Sequence, residues 1–206
     1  MKTFKQFLET SKFDLEKFKS ECAFALEQLQ RGHLLLYHGT KNFPDDFAVR
    51  SWRPRAGPRD SRHSVHDALN ALFQKKFGAP IRNWMFATGS RTTAAHYAGT
   101  SQPCVIFPKG TFEWVCSPDQ NMSDLTTLFD TEYRKIPPSV PDDQREQLAI
   151  EKIAELVDRA QWWHNEQLGD CVRSKNEIMI KCSDFYIFNT DGRAFIDELE
   201  DFLRTR

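Results

Sequence analysis

Three short runs carry residue types that can grip a small molecule: Tyr37-His38-Gly39-Thr40, Ala95-His96-Tyr97-Ala98-Gly99 and Asn176-Glu177-Ile178-Met179-Ile180. His38 and Gly39 follow the apolar run Leu34-Leu35-Leu36, which places them at the lip of a buried strand. Glycine lets a backbone approach a ligand closely, and histidine offers two ring nitrogens. Singly, each residue has an ordinary reading: a hydrogen-bonded core histidine, a core aromatic ending a helix, a charge starting a strand. Other reactive pairings are weaker. His63-x-x-His66 lacks a third ligand at close spacing, which argues against a metal. Cys104 or Cys116 with His96 would imitate a cysteine nucleophile and base, without local sequence support. Trp162-Trp163-His164 reads as the buried end of a helix, with base stacking as the alternative. No glycine-rich phosphate loop is present.

The elements that must position these residues follow from periodicity. Residues 4–30 read as a helix, with Ser11 as a cap, Leu15, Phe18, Cys22, Ala25 and Leu29 along one face, and Gly32 as its stop. Residues 33–37 read as a buried strand, and 41–62 as a loop broken by Pro44, Pro54, Gly57 and Pro58. A helix over 64–76 buries Val65, Leu69, Leu72 and Phe73 and ends at Gly78 and Pro80. Residues 84–87 form a strand, Gly89-Ser90 a turn, and 92–97 a short helix. Strands over 104–107 and 112–115 flank Pro108-Lys109-Gly110 at hairpin spacing. A helix over 123–133 precedes the proline-rich break at 137–141. A longer helix over 142–163 carries the stripe Ala149, Ile153, Leu156, Ala160 and Trp163. Strands over 177–181 and 185–188 lead to an amphipathic helix from Arg193 with Phe195, Leu199 and Phe202. Strands mixed with segregated helices predict an α+β fold, not alternating βαβ units.

Composition bounds the rest. The chain's 206 residues are enough for one domain spanning 1–206, with residues 1–32 as a helical segment packed on it. Hydrophobic residues at 40% and charged residues at 28% predict a soluble globular chain, and 17 phenylalanines supply a large core. Lys+Arg of 28 against Asp+Glu of 29 argues against a general nucleic-acid coater and leaves a local basic patch open. Five cysteines without a C-x-x-C pair read as reduced thiols, which points to the cytoplasm. No run is long and apolar enough to span a membrane, and the first residues lack a signal-peptide core. A monomer without membrane contact is expected.

In combination, Tyr37-His38-Gly39-Thr40, Met85-Phe86-Ala87 followed by Ala95-His96-Tyr97, and Asn176-Glu177-Ile178-Met179-Ile180 resemble the three strand motifs of NAD-dependent ADP-ribosyltransferases. The branch most similar is the diphtheria-toxin and poly(ADP-ribose) polymerase type, with histidine-glycine, tyrosine and glutamate in this order. The resemblance implies a split mixed or antiparallel β-sheet core with N-terminal, middle and C-terminal helices. It implies that NAD is the co-substrate and that ADP-ribose passes to a macromolecular acceptor, protein or nucleic acid. Gly39 would bind the nicotinamide amide through its backbone, and His38 the adenosine ribose. Thr40, Met85, Phe86, Ala87 and Ser90 would line the same cleft. Tyr97 would stack on nicotinamide, and Glu177 would bind the ribose hydroxyls and stabilise the oxocarbenium-like C1′ as nicotinamide leaves. Met85 stands where that branch has its first tyrosine; methionine packs on rings through sulfur but carries no hydroxyl.

Thr88-Gly89-Ser90 resembles a strand of arginine-modifying transferases, but His38 occupies the place of their first-strand arginine and Lys175 that of their paired glutamate. The RNA 2′-phosphotransferases that use NAD carry a Tyr-His-Gly-Thr-like strand without the late glutamate, so Glu177 favours ADP-ribosyl transfer. A non-catalytic module binding NAD, ADP-ribose or a protein is the remaining reading. Arg50, Arg53, Arg55, Arg59 and Arg62, with His63 and His66, would cradle a pyrophosphate or nucleic acid, or form a solvated loop. Arg82 is either a phosphate contact or surface charge. The opening run 1–9 resembles small bacteriophage proteins, which implies a host target.

Overall fold

A computed structural model describes residues 3–10, 12–30, 34–42, 44–54, 57, 62–99, 103–190 and 193–204. The predicted first helix is three: α1 (Phe4–Thr10), α2 (Leu15–Glu21) and α3 (Ala23–Gln30). Asp14 starts α2, its carboxylate accepting from the Lys17 N–H at 2.9 Å. The predicted cap Ser11 and stop Gly32 lie outside the described residues. Phe18, Cys22, Ala25 and Leu29 are buried, as the stripe requires.

Among the described residues, eight strands form two antiparallel sheets: β1 (Leu36–His38), β2 (Phe47–Ser51), β3 (Met85–Ala87), β4 (Cys104–Pro108), β5 (Glu113–Cys116), β6 (Trp163–His164), β7 (Ile178–Lys181) and β8 (Asp184–Asn189). One sheet has the order β1-β4-β8-β2, the other β3-β7-β5-β6. The α+β class is therefore observed. Four expectations need correction. The predicted loop over 41–62 contains β2, a half-buried edge strand whose alternation is too weak to read until β8 pairs with it. The 104–107 and 112–115 strands are not a hairpin. Gly110, at φ +63°, gives its N–H to Glu21 O at 2.7 Å and sends β5 into the other sheet. The 142–163 helix stops at Arg159, because Ala160 turns extended and Trp163-His164 pair with Val115 and Cys116 as β6. Finally, Cys116 and Cys171 form a disulfide, with Cα atoms 5.9 Å apart. Their separation of 55 residues has no spacing signature, and the bridge removes the reduced-thiol argument for compartment.

The other helices are α4 (His63–Phe77), α5 (Arg91–Ala98), α6 (Leu125–Lys135), α7 (Asp142–Arg159), the unforeseen α8 (Leu168–Ser174), and α9 (Arg193–Arg204). Alternation along the strands explains two cores. Ile178 and Ile180 of β7 face a core shared with the first sheet and α1–α3, while Met179 faces α4, α6 and α7. No described helix is long and apolar enough to cross a membrane.

One polar clasp ties α2 to the first sheet. Tyr186 donates to Glu21 Oε2 at 2.7 Å, and Lys109 Nζ lies 3.0 Å from the same oxygen. The Tyr186 hydrogen bond, then Lys109, holds the Glu21 carboxyl below its ordinary 4.5. A depressed carboxylate contributes stability that is present above its unfolded value and lost as pH falls through the lowered folded value. Thermal melts should therefore separate wild type from Glu21→Gln at neutral pH, with the gap closing below about pH 4. A gap that stays constant down to pH 2 would rule out this origin.

Candidate functional site

The two sheets meet at one point. Tyr37 N–H donates to Thr88 O at 2.8 Å, and Thr88 N–H returns to Tyr37 O at 3.0 Å. Thr88 Oγ1 donates to Lys175 O at 2.8 Å, which draws in the segment entering β7. Gly89 permits this approach: a Cβ there would sit 1.8 Å from Val172 O of α8. Ser90 caps α5, accepting from Thr93 N–H at 3.1 Å, so the turn and helix carrying Tyr97 start directly at the junction.

His38 leaves β1 beside this junction. Its Nδ1 lies 2.7 Å from Phe86 O, and a carbonyl only accepts, so Nδ1–H is the donor. Gly39 is half-buried, and Thr40 is buried, its hydroxyl accepting from Asn42 N–H at 3.2 Å. Met85 and Ala87 are buried in the core between the sheets, while Phe86 faces the opposite way. Ala87 pairs with Ile178, so Glu177 comes opposite the Thr88 end of β3.

Glu177 is 5% exposed, not the surface charge its place at a strand start allows. Its backbone N–H donates to Ser123 O at 3.1 Å. Asn176 seats the segment, its side chain donating to Ser117 O and Asp119 O, both at 2.8 Å. Arg82 Nη1 meets Glu177 Oε2 at 2.7 Å, and the guanidinium carbon lies 4.4 Å from the Phe86 ring centroid. Burial pushes the Glu177 carboxyl up from its ordinary 4.5, Arg82 opposes this, and Asp124 at the head of α6 adds to the rise. Tyr97 points its hydroxyl into the same buried space. That hydroxyl is buried beside Glu177, and burial first, then the Glu177 charge, disfavours its ionisation.

The structure thus gathers His38, Phe86, Ala87, Ser90, Tyr97 and Glu177 around the end of β3. It separates other candidates. Arg50 lies on β2 and donates to Asn42 O at 2.7 Å, and Arg62 pairs with Glu146 at 2.5 Å while stacking on Tyr133. Arg53 is exposed, and Arg55 and Arg59 lie outside the described residues. His66 is buried, hydrogen-bonded to Asn83 Oδ1 at 2.9 Å, and no group of three metal-binding residues occurs among the described residues. Cys104 is buried with its thiol pushed up to about 12, and Cys116 is in the disulfide, so neither is a nucleophile. A groove of about 410 Å³ beside Trp52, Phe112 and Lys181 sits at the other end of β7 and includes none of the site residues.

Sequence reasoning placed Asn176 in a candidate run without a role for it, and missed Asp124 and the partner of Arg82. Asp124 had a readable signal, a capping residue ahead of an apolar helix whose carboxylate accepts from Thr126 and Thr127 N–H. Arg82 had none, because its partner is 95 residues away. Comparison with family models, curated proteins and solved structures finds no match to this chain.

Proposed function

We propose that this protein is an NAD-dependent ADP-ribosyltransferase acting on a macromolecular acceptor. The carrying observation is the convergence of His38, Tyr97 and Glu177, three residues remote in sequence, around the end of β3. The two antiparallel sheets joined at Tyr37 and Thr88 suit the split-sheet core that the resemblance implies. The buried Tyr97 hydroxyl facing the Glu177 carboxyl fits a site that takes a polar ligand.

In the reaction, the bond from ribose C1′ to the nicotinamide nitrogen breaks with its electron pair leaving on nicotinamide, and an acceptor nucleophile bonds to C1′ and gives up a proton. The chain's residues supply the surroundings. Glu177 accepts from ribose hydroxyls and sets negative charge beside C1′. Tyr97 lends its ring face to nicotinamide, Gly39 its backbone to the amide, and His38 its imidazole to the adenosine ribose. Thr40, Ala87 and Ser90 border these groups at the junction, while Met85 and Phe86 point into the two cores on opposite faces of β3.

Purified protein incubated with NAD labelled in the adenylate should release nicotinamide and transfer label to a component of a cell lysate. Protease or nuclease digestion then identifies the acceptor class. Absence of both release and transfer would overturn the assignment. A second reading is favoured by one observation: the Glu177 carboxylate is buried and already engaged by Arg82. A module that binds NAD without turnover would give calorimetric heat and no nicotinamide.

A further inference from the structure

We propose that Arg82 is a positioning residue for Glu177, held in place by a latch of buried His66 and half-buried Asn70 and Asn83. Arg82 is 4% exposed and sits on the 3-10 turn Ile81–Asn83 between α4 and β3. That turn is pinned to α4 by side chains. Asn70 Oδ1 accepts from the Arg82 backbone N–H at 3.0 Å. Asn83 Oδ1 accepts from Asn70 Nδ2 at 3.0 Å and from His66 Nε2 at 2.9 Å. With the backbone fixed, the guanidinium plane is set by Phe86, 4.4 Å away, and its Nη1 reaches Glu177 Oε2 at 2.7 Å.

This arrangement does two things for a carboxylate. Among the described residues it supplies the positive charge in contact with a group otherwise removed from water, and it opposes the burial that favours the protonated carboxyl. It also fixes the carboxylate's rotation, because a charge-assisted bond from a planar, packed guanidinium tolerates little reorientation. The charged and titratable groups facing Glu177 are Arg82 from the turn, Asp124 from the head of α6, and Tyr97 from α5. Arg82 is the sole cation among them. Its role differs from both earlier readings of this residue: it is neither a phosphate contact nor surface charge. The kinetic consequence rests on the NAD-transfer reading; the hold on Glu177 does not.

The test follows the Glu177 carboxyl carbon by NMR in protein labelled at glutamate, assigned by its disappearance in Glu177→Gln. In Arg82→Met its titration midpoint should rise by about one pH unit or more, and in Arg82→Lys, which keeps the charge, by about half a unit or less. With NAD, Arg82→Met should lose about tenfold or more in kcat with KM little changed, and its acid limb should move up with the titration. Should the methionine variant fail to fold, Arg82→Lys carries the test: lost fork geometry with retained charge should lower kcat while the acid limb stays. An unmoved midpoint in Arg82→Met overturns the proposal, and where only Arg82→Lys folds, full kcat in that variant overturns it. If the midpoint moves but wild type itself releases no nicotinamide, the NAD reading fails and the hold of Arg82 on Glu177 stands.

Discussion

Glutamine at position 177 is expected to cut nicotinamide release by about a thousandfold, the scale on which a lost electrostatic contact to a developing charge is felt. The substitution keeps the shape of the side chain and an oxygen that can accept from Arg82 Nη1, so the seat formed by Asn176 and Ser123 survives. On the proposed NAD reading, what it removes is negative charge beside C1′. The loss should therefore fall on kcat, with NAD affinity by calorimetry changed little. The pH dependence of wild type carries the same signature. Burial raises the Glu177 carboxyl, so activity that needs the ionised form should climb along an acid limb displaced above 4.5, and Glu177→Gln should lack that limb. Equal turnover in wild type and variant, with both folded by circular dichroism, would remove Glu177 from the mechanism.

The second large effect is on stability. Phe18→Ala should cost about 3–5 kcal/mol in urea unfolding, the range for emptying a fully buried aromatic position. Phe18 is fully buried, and its ring centroid lies 5.1 Å from Phe107, 5.2 Å from Tyr186, 5.3 Å from Phe13 and 5.6 Å from Phe188. Three of those contacts are edge-to-face, the arrangement in which aromatic quadrupoles attract. No smaller side chain fills that space, because three of the neighbours, Phe107, Tyr186 and Phe188, belong to two strands that are themselves paired. Leu148→Ala, at an exposed position on α7, is the control and should stay within about 0.5 kcal/mol. A cost below about 1 kcal/mol for Phe18→Ala would mean that α2 is not an integral part of the core.

Periodicity carried the local structure well. The stripe from Phe18 to Leu29, the stop at Gly78 with φ +75°, and the buried strands around Ile106 and Ile180 all appear where their residues place them. A repeat of apolar residues states that a face is buried, not against what. Hence the strands around Gly110 read as partners although they belong to different sheets, and Trp163 read as helical although β5 recruits it into a strand. At the proposed site, His38, Tyr97 and Glu177 stand out in the sequence only in combination, through the order of their three runs, since each alone has an ordinary reading. The burial of Glu177 and its pairing to Arg82 were not legible, since both depend on a turn and a strand brought together by β3 and β7. The Cys116–Cys171 bridge was illegible for the same reason.

The strand orders bear on how the chain is made. β7 and β8 are the last strands in sequence, yet each occupies an interior place in its sheet. Before they exist, a growing chain can pair β1 only with β4, and β5 only with β6, while β2 and β3 have no partner. Synthesis therefore accumulates unpaired edges and apolar faces until residues 178–189 arrive and close both sheets together. Every pairing among the described strands spans dozens of residues, which sets folding in the slow, non-local regime. A nascent chain stalled before Ile178 is the form of this protein most exposed to aggregation and most dependent on chaperones.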